Sequence, residues 1–167
     1  GLFTSPHLVD YKERIRVDFK KIKNVDIESF LKKYNNDVKS IKPSFFEIMT
    51  VISLWYFHRK KVDIAILETG LGGRLDSVTS CNNNIVGYTN IDTDHQNILG
   101  NSIKKIAQEK ALAMVSSNQI FFSVPQYKAV QKVLNDRAEE LKTRIMNCQV
   151  RQKKNSLKGK HQSINAS

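Results

Sequence analysis

The sequence predicts an α/β fold, a mostly parallel sheet flanked by helices. Three observations predict it. Short β-rich apolar runs bounded by breakers recur at residues 62–67, 85–89 and 120–124. Segments with apolar residues at helical spacing alternate with them, at 43–61, 102–115 and 127–145. Strands alternating with helices argue for a parallel sheet rather than a sandwich or a bundle.

Residues 1–8 show no convincing element. Residues 13–19 alternate apolar and charged side chains, with Ile15, Val17 and Phe19 on one face, and read as a half-exposed strand. Asp26 can cap a short helix over 27–34. Pro43 and Ser44 open a strong helix. Its apolar positions Phe45, Ile48, Met49, Ile52, Trp55 and Tyr56 recur at helical intervals, and Arg59, Lys60 and Lys61 suit its C-terminal end. The run 62–67 reads as a buried strand of the sheet. A second strand covers 85–89, a helix 102–115 and a third strand 120–124. The last helix, 127–145, carries the stripe Val130, Val133, Leu134, Ala138 and Leu141. From Met146 the composition turns basic and polar, which predicts a loop or edge segment and then a linker.

With 167 residues, 40% hydrophobic and 26% charged, the chain fits one domain with a real core. No apolar run reaches the roughly 18 residues of a membrane span, since Glu47, Thr50 and Ser53 interrupt the longest candidate. No membrane partner is expected, and no signal peptide is visible. Cys81 and Cys148 are too few for a disulfide framework or a cysteine metal site, so the expected setting is the reducing cytoplasm. The net charge is +11, with basic clusters at Lys20, Lys21 and Lys23, at Arg59, Lys60 and Lys61, and at 151–160. Aromatic residues are not interleaved with these clusters, so no nucleic-acid platform is expected. A lysine-rich surface serving polyanionic substrates such as ATP is the better reading.

Ligands of an open α/β sheet bind beyond the carboxyl ends of its strands. The string 68–76, Glu-Thr-Gly-Leu-Gly-Gly-Arg-Leu-Asp, follows one such end. A carboxylate there needs a partner, for which Mg²⁺ is suited, and Gly70, Gly72 and Gly73 let backbone approach a ligand. The string 89–95, with Asp92, Asp94 and His95, follows another end. Its spacing fits a metal or acid/base site and equally a polar turn with a helix cap. Lys110, on the next helix, reads by itself as a surface lysine.

Taken together, several strings resemble folylpolyglutamate synthase and bifunctional dihydrofolate synthase, members of the Mur-ligase-like superfamily. They are 4–8 (TSPHL), 13–15 (ERI), 44–47 (SFFE), 68–76 (ETGLGGRLD), 89–100 (TNIDTDHQNILG), 109–111 (EKA) and 157–162 (LKGKHQ) with Asn165 and Ala166. The resemblance covers nearly the whole chain. It implies a partial Mur-ligase-type central ATPase domain over 1–155, with 156–167 as the hinge to a C-terminal domain.

The implied activity is an ADP-forming acid–amino-acid ligase, probed by ATP, L-glutamate and dihydropteroate or folate as partners, acting as a monomer. ATP phosphorylates the acceptor carboxyl group, and glutamate displaces phosphate from the acyl phosphate. Two Mg²⁺ ions offset the triphosphate charge. By position, Ser5, Glu68 and His95 resemble metal ligands. Lys110 resembles the lysine that is carbamylated in the superfamily and holds Mg²⁺. Ser44, Phe45, Phe46 and Glu47, with Gly73, Arg74, Leu75 and Asp76, resemble substrate contacts, and Asn165 a nucleotide contact.

The chain departs from the family in several places. No G-x-x-G-K-[ST] phosphate loop occurs in it. Residues 111–113 are Ala-Leu-Ala where Ala-Gly-Ile is usual, and Asp92 stands where glycine is common. These departures predict that the 167 residues alone are inactive, and leave open a non-catalytic descendant or binding module. A sheet lacking its phosphate-loop strand is also expected to expose apolar surface and to be poorly soluble.

Overall fold

The structure, a computed structural model, describes residues 1–93 and 102–148. It divides into two units. One comprises Gly1–Leu71 and Asp76–Cys81, the other Gly72–Leu75 with the described residues 82–93 and 102–148. Each unit has its own sheet.

The first sheet contains β1 (Leu2–Phe3), β2 (Ile15–Val17), β3 (Lys20–Lys21) and β4 (Ile66–Leu67), in the order β3-β2-β1-β4. β1 runs antiparallel to β2 and parallel to β4, with Phe3 opposite both Ile15 and Leu67. The expected strand over 13–19 is shorter than its alternation suggests. Tyr11–Arg14 form a 3₁₀ turn, capped by the Asp10 carboxylate, which accepts the Lys12 amide. After β2, Asp18 and Phe19 both adopt positive φ, 47° and 65°, and turn the chain back into β3. Phe19 is therefore 99% exposed instead of sharing the buried side with Ile15. β1 is too short for any periodicity to announce it.

Three helices belong to this unit: α1 (Asn24–Lys33), α2 (Asn35–Ile41) and α3 (Phe45–Lys60). α1 begins before the expected start. Lys23, not Asp26, holds its cap position, and Asp26 lies in the first turn, where the helix dipole favours a carboxylate. α2 buries no residue, so no apolar stripe marks it in the sequence. α3 starts at a reciprocal capping box. The Ser44 hydroxyl accepts the Glu47 amide at 3.3 Å and the Glu47 carboxylate accepts the Ser44 amide at 2.7 Å. Its buried side chains Met49, Ile52, Tyr56 and Phe57 pack with Phe3, Ile15, Ile22, Ile27, Phe30 and Val78. Burial of each large apolar side chain stabilises this core by about 1.5–3 kcal/mol.

The run 62–67 is not buried on both faces. Val62 and Leu67 pack on the core, whereas Ile64 and Ile66 are 71% and 61% exposed. β4 ends the hydrogen-bonded order, and alternation turns Ile66 away from the face on which Leu67 packs.

The second unit holds an all-parallel sheet of β5 (Ile85–Tyr88), β6 (Ile120–Ser123) and β7 (Ile145–Asn147), in that order. The connections carry α4 (Ile103–Ala111) and α5 (Lys128–Glu140). Ser102 caps α4 by accepting the Lys105 amide at 3.3 Å. Ile106, Ala107, Ala111, Met114, Phe121, Val130, Leu134 and Ala138 form the core. The expected helix over 127–145 stops at Glu140. Lys142 takes a left-handed conformation, φ 56°, and turns the chain into β7, the edge strand.

Candidate functional site

Parallel pairing of β1 with β4 delivers the residues after each strand side by side. The Glu68 amide donates to the Phe3 carbonyl at 2.9 Å, and the Ser5 amide donates to Glu68 Oε2 at 2.7 Å. Ser5 and Glu68, 63 positions apart, thus stand together at the carboxyl ends of two strands. A hydroxyl and a carboxylate are hard oxygen donors of the type Mg²⁺ takes. Among the described residues no group of three or more His, Cys, Asp or Glu is placed to hold a metal ion. The pair fits a Mg²⁺ site completed by water and phosphate oxygens, since Mg²⁺ is commonly bound by only one or two carboxylates. His95, Asp94 and Asn165 lie outside the described residues. Asp92 is exposed and its Oδ1 accepts the Thr93 amide at 2.7 Å, the polar-turn arrangement.

The glycine loop is organised from inside. Asp76, only 6% exposed, accepts the Gly70 and Leu71 amides on Oδ2, each at 2.9 Å, and the Val78 amide on Oδ1 at 2.9 Å. The Phe46 ring covers Gly70 so closely that a Cβ there would lie 2.6 Å from it. Phe46 also packs on Phe3, at 5.6 Å between centroids, and the Thr50 and Ser77 hydroxyls are 2.8 Å apart. The first turn of α3 is therefore locked to the loop after β4. Ser44 and Glu47 are occupied with each other. The Ser44 hydroxyl, then its amide, holds the Glu47 carboxyl below the ordinary range.

In the second unit, Gly73 rests on the end of α4. A Cβ on it would meet the Glu109 carbonyl oxygen at 2.6 Å, the Ala113 nitrogen at 2.8 Å and the Lys110 carbonyl oxygen at 2.9 Å. Arg74 and Leu75 project to solvent. The buried Tyr88 hydroxyl donates toward the Lys110 and Ala111 carbonyls at 3.3 and 3.4 Å, and burial pushes that phenol well above its usual range. The backbone of Lys110, whose side chain is half-buried, is thus held between Gly73 and Tyr88. Gln126 clamps the end of β5, accepting the Ile91 amide at 3.0 Å and donating to the Thr89 carbonyl at 2.8 Å.

Sequence reasoning missed Tyr88 and Gln126, which no local pattern distinguishes. It also missed a cluster in the first unit. Arg14 Nε donates to His7 Nδ1 at 3.0 Å, and its guanidinium carbon lies 5.2 Å from the centroid of the Phe45 ring. The only signal was that His7 and Arg14 belong to the strings TSPHL and ERI.

Crossover-connected parallel strands, with polar side chains just past their carboxyl ends, define an open α/β protein whose ligands belong at those ends. No protein-family model matches the chain. A folylpolyglutamate synthase of Arabidopsis thaliana is 34% identical over 186 residues, 99% of this chain and 31% of that protein. The structure of E. coli FolC in complex with DHPP and ADP superposes with a TM-score of 0.80 at 29% identity, covering 88% of this chain and 35% of the other. A bifunctional folylpolyglutamate synthase/dihydrofolate synthase with Mn, AMPPNP and L-glutamate bound gives 0.76 at 28%, over 88% and 36%. The chain belongs to the folylpolyglutamate synthase/dihydrofolate synthase family, and it spans about a third of the length of these relatives.

Proposed function

We propose that the chain is the central part of an ATP-dependent ligase that adds L-glutamate to dihydropteroate or to folate (poly)glutamates. The observation that carries this reading is the Ser5–Glu68 pair at the carboxyl ends of β1 and β4, in a chain related to folylpolyglutamate synthases. Residues 1–155 belong to the ATPase domain and 156–167 to the hinge. The γ-phosphoryl group of ATP passes to a carboxylate oxygen of the acceptor, and ADP leaves. The glutamate amine then attacks the acyl carbon, loses a proton, and phosphate departs.

Ser5 and Glu68 would hold Mg²⁺, with His95 and a carbamylated Lys110 as further ligands. The ion would supply positive charge against the phosphate groups during transfer. Glu68 is oriented for this by the Ser5 amide. Ser44 to Glu47 and Gly73 to Asp76 frame the acceptor substrate, with Asp76 acting through the loop it organises. Asn165 contacts the nucleotide. The protein is a cytoplasmic monomer with no membrane or nucleic-acid partner. No helix among the described residues is long and apolar enough to cross a membrane.

A second reading, a non-catalytic binding module, draws on the departures at Asp92 and at residues 111–113. One comparison separates them. ADP release that requires both L-glutamate and dihydropteroate or folate is measured for this chain and for the chain extended by its in-frame flanking sequence. The ligase reading expects release from the extended protein only, and at least a hundredfold loss on Glu68→Gln, the upper end for disturbing a metal site. Turnover by the 167 residues alone refutes their inactivity. An extended protein that releases no ADP leaves the binding module.

A further inference from the structure

We propose that the groove between α2 and α3 is a binding site for a small organic cation with an apolar body. The groove has a volume of about 760 Å³, within the roughly 300–1,000 Å³ usual for ligand pockets. It opens where α2 stands off α3. No residue of α2 is buried, yet Val38 and Ile41 line one wall, and Ile48, Val51 and Leu54 line the other. Ile41, Val51 and Leu54 are 73%, 51% and 37% exposed. Apolar residues scattered singly over a surface are ordinary, but these face one cavity and form one lining. Phe30, Tyr34 and Trp55 add an aromatic cluster to it, with the Phe30 centroid 4.8 Å from that of Tyr34 and 5.5 Å from that of Trp55. Residues 47, 48, 51, 54 and 55 share one side of α3, which leaves Phe46 on another side, where it covers Gly70. The groove is therefore separate from the glycine loop, and the proposal does not rest on the ligase reading.

The charged groups of the lining select the sign of the ligand. They are Asp37, Glu47 and Lys42. Asp37 stands on the α2 wall and Glu47 on the α3 wall, and neither makes an ion pair among the described residues. Glu47 Oε2 accepts the Ser44 amide at 2.7 Å, which leaves Oε1 for a ligand. The Ser44 hydroxyl, then its amide, holds that carboxyl below its ordinary range, so it is charged at neutral pH. Two cations beside the groove are already engaged. Arg59 pairs with Asp26 at 3.6 Å and lies 4.7 Å from the Trp55 centroid, and Lys33 lies 5.2 Å from the Tyr34 centroid. The lining is thus net negative, two carboxylates against one lysine, in a chain of net charge +11. A cation is repelled by most of such a surface and attracted here, whereas an anion is drawn elsewhere. An amine placed between the two walls would meet the carboxylates, and its apolar body would cover Ile48, Val51 and Trp55.

Trp55 is the only tryptophan of the chain and lines the groove, so its fluorescence reports binding directly. The 167-residue protein is titrated with 4-phenylbutylamine, 4-phenylbutanol and 4-phenylbutyrate, which share one body and differ in charge. The amine is expected to bind about fivefold tighter than the alcohol, the scale of one exposed ion pair, and the acid no tighter than the alcohol. Asp37→Asn is expected to cut the preference for the amine to about twofold, and Asp37→Glu, which keeps the charge, to retain it. Val51→Asn, at an exposed position of α3, is expected to weaken all three probes alike. Binding of no probe, equal binding of all three, tightest binding of the acid, or an undiminished preference in Asp37→Asn overturns the proposal. Displacement of the amine by equimolar folate overturns it too, because the groove then belongs to the acceptor site.

Discussion

Replacing Asp76 tests whether the glycine loop is held from within. The carboxylate accepts three backbone amides, those of Gly70, Leu71 and Val78. Alanine leaves all three without their acceptor. A hydrogen bond to a charged group contributes about 1.5–3 kcal/mol, and the first two amides are only part-buried, so water recovers a share. The discounted sum is about 3 kcal/mol for Asp76→Ala. Asparagine presents one acceptor and one donor group. With its oxygen toward Gly70 and Leu71, its NH₂ faces the Val78 amide, and the loss is about 1–2 kcal/mol. For a chain of this size 1 kcal/mol moves the melting temperature by about 2–4 °C. Asp76→Ala should melt about 6–12 °C lower and Asp76→Asn about 2–8 °C lower. Circular dichroism gives the melting temperature, and hydrogen exchange at the three amides localises the change. An alanine variant within about 2 °C of the parent, with those amides still protected, refutes the loop role. In the extended enzyme, a raised KM with unchanged stability would instead support direct substrate contact by Asp76.

Other expectations follow from the same geometry. Gly73→Ala drives a methyl group into backbone atoms that cannot yield, costing about 1–3 kcal/mol. Hydrogen exchange should quicken along Ile103–Ala111, and unchanged exchange there contradicts the close approach. Tyr88→Phe removes a hydroxyl from two carbonyls at the same helix end and should cost about 1 kcal/mol, read by chemical denaturation with no change in slope. Three carboxyls sit below their ordinary range: Asp10 through the Lys12 amide, Glu13 through the Leu8 amide, and Glu47 through the Ser44 hydroxyl. Their folded pKa lies below the unfolded one, so their stabilisation is present above the unfolded pKa and fades as pH falls through the folded value. Melting temperature should drop between about pH 5 and pH 3, less steeply in Glu47→Gln, and a flat profile opposes the assignment. Ile66→Lys should raise the soluble fraction by placing a charge on β4, and an unchanged fraction means that strand is not where copies associate.

The helices were legible where packing stamps a period on the sequence. α3 and α5 bury a continuous stripe, and Pro43 and Ser44 announce the start of α3. α2 buries nothing, and helix ends governed by one left-handed residue, such as Lys42 or Lys142, leave no periodic trace. The hairpin turn at Asp18 and Phe19 defeated the alternation rule. A period of two persists in sequence through a reversal that ends the strand, and only backbone conformation separates Val17 from Phe19.

The site was legible as separate strings and illegible as contacts, because long-range pairing decides which strings meet. Parallel register between β1 and β4 is what sets residue 5 beside residue 68, and nothing local in either string encodes it. The same pairing bears on the metal role we propose for Glu68. A carboxylate ending a strand serves equally as a structural acceptor and as a metal ligand, and the proposed metal role would fall on a different atom from the structural one. Oε2 is taken by the Ser5 amide, while Oε1 makes no hydrogen bond among the described residues. The bond to one oxygen fixes the direction of the other. A ligand oriented in advance in this way loses less freedom when a cation arrives than a freely rotating glutamate would. The contact that looks structural is therefore an argument for the metal role of Glu68, not against it.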